Sequence, residues 1–174
     1  MAVELNDNGE IVLPRRGSME LVRLNRTTAG HAALFERVMS RVSQFSFEHG
    51  CDPASLVQEL WGAFSTMNPL YCVWAGVERG NVVGHLLLAV QNKDGYPVAY
   101  ILQADSDVIL PRRMIKEALV ALHLWVQEFN LWADKAAPHL HLRWLYMESH
   151  RMSEAWMRHV GFEPHRMIFR RAVL

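Results

Sequence analysis

The sequence predicts a single α/β (α+β) domain in which helices cover both faces of a mixed, mostly antiparallel sheet. Two observations predict this class. Apolar residues recur with helical spacing in three long segments, whereas in the segments between them they alternate with polar residues or cluster with β-branched ones. Turn residues also separate three consecutive strand-like segments in the middle of the chain. A chain of 174 residues is long enough for one domain and short for two.

The first elements are a strand and two helices. Residues 19–24 alternate in polarity and predict the strand. Thr27 or Thr28 is expected to cap the first helix. Asp52 followed by Pro53 predicts a cap with proline in the first helical position of the second. The apolar stripes of the two helices are Leu34, Phe35, Val38, Met39, Val42 and Phe45, and then Leu56, Val57, Leu60, Trp61 and Phe64.

Three strands follow, over residues 70–77, 81–90 and 96–108. The turn Glu78-Arg79-Gly80 separates the first two, and residues 92–95 separate the second from the third. Short turns between apolar runs are typical of hairpins, so we expect three consecutive antiparallel strands.

A long third helix is predicted after Pro111, with an apolar face from Ile115 to Phe129 and an exit loop from Asn130. The same signals predict three further elements: a strand over 139–147, a short helix over 153–159 that ends at Gly161, and a strand over 162–173. This alternation of strands and helices predicts helices on both faces of the sheet.

Composition argues against several classes of protein. The 18 basic and 18 acidic residues give no net charge, which argues against a general nucleic-acid-binding surface. Cys51 and Cys72 cannot form a disulfide framework, and no CxxC pair suggests zinc. Residues 1–18 predict an N-terminal arm without the apolar run of a signal peptide or membrane span, so we expect a cytoplasmic protein with no membrane contact.

The order of elements and the segment from Ser149 to Phe162 resemble the GNAT acetyltransferase superfamily. That segment, SHRMSEAWMRHVGF, is similar to the family pattern N-x-x-A-x-x-x-Y-x-x-x-G-F. The likeness identifies residues 19–174 as a GNAT-like acyltransferase domain. It implies a central sheet of about six to seven strands flanked by about four helices. It also implies acetyl-coenzyme A as the co-substrate.

Several positions depart from the family pattern. The family asparagine falls on His150 and the alanine on Ser153. The tyrosine that protonates the leaving thiolate falls on Met157, which has no proton to give. In the pyrophosphate loop, R/Q-x-x-G-x-G/A, Lys116 replaces the first glycine. Motifs eroded in this way occur among phage-encoded members of the superfamily.

Basic residues gather where the third helix is predicted to begin. Arg112, Arg113 and Lys116 would oppose the helix macrodipole there. An anion bound at this position would use free N–H groups, dipole and side-chain charge together, and the resemblance implies the coenzyme A pyrophosphate. Alternatively, the three side chains extend into solvent or pair with neighbouring carboxylates.

The resemblance assigns further cofactor contacts to residues on either side of this helix. Backbone N–H groups of Val108, Ile109 and Leu110 would polarise the thioester carbonyl, as oxyanion stabilisation requires. Ser153 stands at a cofactor-facing position of the family pattern.

Asp105 is the predicted general base, because an ammonium acceptor must lose its proton before it attacks. Asp105 and Asp107 in the motif Asp-Ser-Asp are also typical of turn chemistry. His150 or Tyr146 would protonate the thiolate, although the first is also consistent with a solvated histidine and the second with packing. His139 and His141 form an HxH pair without an evident third ligand, so no metal is predicted.

The resemblance implies acyl transfer from acetyl-coenzyme A to a primary amine of a small molecule, peptide or modified base by direct attack. The departures at Lys116 and Met157 favour an alternative, a catalytically inactive GNAT-like module that binds a protein partner or forms a homodimer. A third interpretation, a GNAT-like enzyme acting on nucleic acid, depends on Arg166, Arg170 and Arg171 and is opposed by the neutral net charge.

Overall fold

A computed structural model describes residues 19–48, 52–93, 95–107 and 112–147, with the side chains of 47, 48, 112–114 and 147 outside the description. These residues form five strands, three α-helices and a short 3-10 helix at Pro138–Leu140. In chain order the main elements are β1 Glu20–Arg23, α1 His31–Glu48, α2 Pro53–Thr66, β2 Tyr71–Glu78, β3 Asn81–Lys93, β4 Tyr96–Ser106, α3 Arg112–Ala136 and β5 Leu145–Met147.

The five strands form one sheet in the order β1-β2-β3-β4-β5. β1 to β4 pair antiparallel, and β5 pairs parallel to β4. The predicted mixed, mostly antiparallel sheet is therefore confirmed. The expected six to seven strands and four helices are not matched in the part of the chain that is described, which holds five strands and three α-helices. The helix predicted over 153–159 and the strand over 162–173 lie outside it, as do the arm 1–18 and Cys51.

Local sequence explains the turns and caps that were predicted correctly. Arg79 and Gly80, between β2 and β3, both have positive φ angles of 50° and 77°, as a type I′ hairpin turn requires. Asp52 caps α2 by accepting a hydrogen bond from the Ala54 N–H, and Pro53 is its first residue. Both features follow from residues adjacent in the chain.

Two predicted helix boundaries were wrong. α1 begins at His31, three residues beyond Thr28, because Asn25 folds the preceding segment into a turn by accepting a hydrogen bond from the Thr27 N–H. α3 continues through the predicted exit loop at Asn130 to Ala136. Contacts with the following segment stabilise the end of the helix, because the Asn130 side-chain amide forms hydrogen bonds with both the N–H and the C=O of Leu142.

The strand predicted over 139–147 is limited to Leu145–Met147. Pro138–Leu140 forms the 3-10 helix, so His139 and His141 do not share a strand face as the HxH pattern predicted. His141 instead contacts Asp134 of α3, with 2.9 Å between Nδ1 and the carboxylate.

The face of the sheet that packs against α3 is apolar. Trp74 of β2 meets Trp125 of α3 edge to face, with ring centroids 6.4 Å apart, and Trp125 lies 5.8 Å from Phe129. Cys72 is buried in this layer, and its burial raises the pKa of the thiol to about 12. This cysteine therefore acts as a small core hydrophobe.

α1 and α2 cover the opposite face. Phe35 of α1 stacks on Phe64 of α2 with centroids 4.0 Å apart, and it is fully buried with Val38 and Val42. These side chains pack against Leu87 of β3. Successive residues of β2 and β3 alternate between the two layers, as the strand period requires, which confirms the predicted helices on both faces. Among the helices of the described ranges, none is long and apolar enough to cross a membrane.

Candidate active site

A group of polar side chains lies between α1 and the carboxyl end of β4, beside the apolar layer under α1 and α2. We call it the polar cluster, and its members are Arg41, Ser46, His85, Gln103, Asp105 and Asp107. α1 contributes the first two, β3 contributes His85, and β4 with the residue after it contributes the others. Three of the members, Ser46, His85 and Gln103, are more than nine-tenths buried.

A bulge in β4 shapes this part of the sheet. Leu87 pairs with Gln103 whereas Leu88 pairs with Ile101, so Leu102 is an extra residue in β4. A bulge interrupts the ladder and re-aims the side chains that follow it, and bulges are frequent beside active sites. Gln103 and Asp105 are thereby directed to the α1 side, where they meet Ser46 and Arg41.

The close approach of β3 to β4 positions the two carboxylates of the polar cluster. Gly84 pairs with Ser106, and a Cβ at position 84 would lie 2.8 Å from the carbonyl oxygen of Asp105. Only glycine permits this backbone contact without displacement of one strand. The next pair in the ladder sets His85 opposite Asp105.

Arg41 joins the two carboxylates. Its Nη2 donates to Asp105 Oδ2 and to Asp107 Oδ1, each at 2.9 Å, and its Nη1 donates to the other oxygen of Asp107. The guanidinium holds the pKa of Asp107 below its ordinary value through these hydrogen bonds. The hydrogen bond to Asp107 is also the main reason that the pKa of Arg41 is raised. Two carboxylates and one guanidinium give this trio a formal charge of one negative unit.

His85 and Gln103 form the buried core of the cluster. Nε2 of the imidazole lies 2.8 Å from Oε1 of Gln103, and the Gln103 amide nitrogen donates to Ser46 Oγ at 3.4 Å. The ring of Phe45 contacts the imidazole edge-on, with centroids 6.3 Å apart. Burial lowers the pKa of His85, and the hydrogen bond to Gln103 offsets part of that effect. The imidazole is therefore neutral at pH 7.

β4 extends beyond its described pairing with β5. Within the described ranges β5 pairs with Ala99, Tyr100 and Ile101, and no pairing of Leu102–Asp105 with β5 is present. The backbone of such a strand end can bind an extended ligand through N–H and C=O groups. This end of β4 leads toward the beginning of α3.

The structure places some of the predicted site residues. Arg112 and Arg113 are the first two residues of α3, and Lys116 lies one turn further with its side chain exposed. Tyr146 lies on β5 opposite Tyr100. Asp105 is bound to Arg41. The remaining predicted site residues lie outside the described ranges: Val108, Ile109, Leu110, His150 and Ser153, and so do Arg166, Arg170 and Arg171.

Sequence reasoning missed three members of the cluster, Arg41, Ser46 and His85. His85 carried a local signal, because it is a polar residue inside an apolar run of β3. A buried polar residue is more informative than an exposed apolar one. Within the described part of the chain, no group of three or more His, Cys, Asp or Glu residues could hold a metal ion.

No protein-family model matches the chain, and no curated protein matches it in sequence. Solved structures do match its fold. The aminoglycoside N-acetyltransferase AAC(6')-Iy in complex with CoA is 15% identical, with a TM-score of 0.58 over 92% of this chain and 99% of that one. A predicted acetyltransferase with acetyl-CoA from Clostridium acetobutylicum is 13% identical, with a TM-score of 0.57 over 88% and 96%.

A GCN5-related N-acetyltransferase from Ralstonia eutropha is 17% identical, with a TM-score of 0.56 over 88% of this chain and 98% of that one. At these identities the comparison establishes the fold and nothing finer. The chain has the GNAT acetyltransferase fold, which confirms the resemblance drawn from the order of its elements.

Proposed function

We propose that the protein transfers an acetyl group from acetyl-coenzyme A to a primary amine by direct attack. The observation that carries this proposal is the end of β4, which extends beyond its described pairing with β5, bears charged side chains and leads to a helix that begins with Arg112 and Arg113. Neighbours with this fold were solved with CoA or acetyl-CoA bound. AAC(6')-Iy was also solved with CoA-S-monomethyl-acetylneamine, a bisubstrate analogue.

Each part of the site has a proposed role. Arg112, Arg113 and Lys116 would hold the pyrophosphate together with the free N–H groups of the first turn of α3. The end of β4 would bind the extended pantetheine arm through its backbone groups. His150 or Tyr146 would protonate the leaving thiolate, and backbone N–H groups of residues 108–110 would polarise the carbonyl.

Asp105 was predicted as the base, and its ion pair with Arg41 suggests a second role. Because the trio of Arg41, Asp105 and Asp107 carries one net negative charge, it would attract a cationic acceptor to this side of the sheet. We therefore propose that these carboxylates receive the acceptor as its ammonium ion.

Calorimetric titration with acetyl-coenzyme A tests the proposal. We expect saturable heat for the wild type, and affinity about tenfold weaker for Lys116→Glu, since the reversed charge meets the pyrophosphate near the helix N-terminus. Lys135→Glu is the matched control, because Lys135 lies in the last turn of the same helix. Absence of heat at millimolar cofactor would exclude the proposal, as would equal weakening by the two substitutions.

Turnover is measured separately as release of coenzyme A thiol with a panel of amines, neamine among them. Binding of the cofactor without turnover on any amine would favour the second candidate, a catalytically inactive module.

One observation supports that second candidate. The outer side of α3 exposes Val120, Leu124 and Leu131, each more than half accessible, with Trp132 next to the last. A contiguous exposed apolar patch is typical of a protein interface. Light scattering on the wild type and on Leu124→Asp would discriminate, because an assembly formed through this patch would dissociate in the variant.

A further inference from the structure

We infer that His85 takes up the proton that the acceptor amine loses during acyl transfer. This inference rests on the proposed function and adds a general base that is distinct from the predicted Asp105. It is carried by the hydrogen bonds of the buried imidazole, by the position of His85 in the sheet and by the charged groups around it.

The hydrogen bonds set the tautomer of His85. Gln103 Oε1, 2.8 Å from the imidazole Nε2, is a carbonyl oxygen and can only accept. Nε2 must therefore carry the hydrogen, and Nδ1 holds a lone pair. The Gln103 amide nitrogen in turn donates to Ser46 Oγ.

The lone pair of Nδ1 is the unusual feature. His85 is only 4% exposed, and Nδ1 has no hydrogen-bond partner among the described residues. Buried polar atoms in native proteins are nearly always paired, and an unpaired one needs an explanation. A nitrogen that receives a proton needs a lone pair that is not already engaged in a hydrogen bond, and Nδ1 has one.

The position of His85 joins the imidazole to the end of β4. His85 is the register partner of Asp105, and its hydrogen-bond partner Gln103 directly follows the extra residue Leu102 of the bulge. The imidazole is therefore held against the segment of β4 that extends beyond its described pairing with β5. A general base acts directly or through one water on the proton that it removes.

The charged groups that face His85 act in opposite directions. Arg41 of α1 lowers the pKa of the imidazole, whereas Asp105 of β4 and the adjoining Asp107 raise it, and burial outweighs both. Phe45 and Ser46 of α1 and Ala75 of β2 contribute no charge to this environment. The imidazole therefore stays neutral and able to accept a proton under conditions where an exposed histidine would begin to charge.

The proton balance of the step is as follows. The ammonium ion received by the carboxylates first releases one proton to solvent. The neutral amine then attacks the thioester carbonyl carbon, a C–N bond forms, and the carbonyl π electrons move to oxygen. The nitrogen, now cationic, gives one proton through water to His85 Nδ1. The C–S bond then breaks as the carbonyl reforms, and the thiolate leaves and is protonated to the thiol. His85 returns its proton to solvent, so no oxidant or further reactant is needed.

His85→Gln tests the inference on the full-length protein, with the most active amine of the panel as probe. We expect kcat to fall at least about 100-fold while acetyl-coenzyme A affinity is unchanged. The acid limb of the wild-type pH profile, expected below pH 6.5, should disappear. His123→Gln is the matched control, because His123 lies exposed on α3, and it should leave both the rate and the profile unchanged.

A second variant separates chemistry from folding. Gln103→Glu is nearly isosteric and sets a carboxylate against Nε2, which favours the charged imidazole. The acid limb should therefore move to higher pH by about 1 unit, which a purely structural role for His85 would not produce. A folded His85→Gln protein with kcat within about threefold of wild type and the same pH profile would overturn the inference.

Two further outcomes are distinguishable. Loss of activity in Asp105→Asn with activity retained in His85→Gln would assign the base to Asp105 and overturn the inference. If the wild type binds no acetyl-coenzyme A and acetylates no amine, the proposed function itself fails and the inference falls with it.

Discussion

The two faces of the sheet bury different kinds of side chain on the same strands. Toward α3, Trp74 and Leu88 pack against Trp125 and Phe129 in a layer whose buried members are all apolar or cysteine. Toward α1, β3 and β4 contribute His85 and Gln103, which are as buried as the neighbouring leucines. Burial of polar groups is costly unless they are paired. Packing on the α3 face therefore stabilises the fold, whereas burial of the polar cluster on the α1 face costs stability.

The largest effect should come from the apolar face. Trp125→Ala removes a side chain that is 3% exposed and contacts Trp74 and Phe129. We expect the free energy of unfolding to fall by about 3–5 kcal/mol, as measured by urea denaturation. Leu131→Ala is the control on the same helix, since Leu131 is 66% exposed. Similar losses in the two variants would mean that α3 does not pack through this face.

A smaller loss is expected where β3 approaches β4. In Gly84→Ala the new methyl would meet the Asp105 carbonyl oxygen at 2.8 Å and the Ser106 Cα at 3.3 Å. Displacing a strand to relieve such contact costs about 1–3 kcal/mol. Gly62→Ala in α2, where nothing lies within 4 Å of the new Cβ, should be stabilising because alanine favours a helix interior. Denaturation of both variants measures the difference, and a stable Gly84→Ala protein would contradict the register of β3 and β4.

The smallest effect is the pH dependence of stability. The folded state lowers the pKa of His85 below 6.5, so the unfolded chain binds the proton more readily. Stability is then fully present above pH 6.5 and declines as the pH falls below it, by at most about 1.4 kcal/mol per pH unit for one proton. Asp107, whose pKa is lowered from 3.8, contributes only at more acidic pH. In His85→Gln the decline just below pH 6.5 should be smaller than in wild type, and an unchanged curve would show that the imidazole is not buried as described.

Local patterns predicted most of the fold. The apolar stripes of α1, α2 and α3 follow from helical periodicity, and the β2–β3 turn follows from Gly80 and its neighbour. The two wrong helix boundaries, the start of α1 and the end of α3, both depend on contacts that helical periodicity does not contain. α3 is extended by Asn130, which binds Leu142 twelve residues away, and α1 begins late because Asn25 organises the preceding turn.

The candidate site could be predicted only in part. Asp105 was found because it lies in a recognisable position before the third helix. Its partner Arg41 is 64 residues away, and the 18-residue separation between His85 and Gln103 is bridged by strand register rather than by local spacing. An arginine in a helix and a histidine in a strand each fit many structural roles, and the sequence does not show that Arg41 and His85 lie in the same cluster.

By itself the sequence determined where the three described helices and the first four strands lie to within a few residues, which side of each helix is apolar, and that the order of elements resembles the GNAT fold. Those properties depend on neighbours a few residues apart, whose periodicity can be read directly. The tertiary structure alone decided that Arg41 binds both aspartates and that the lone pair of His85 is left unpaired in a buried place. Hydrogen bonds and burial depend on distance in space, and a one-residue bulge at Leu102 is enough to change which side chains meet.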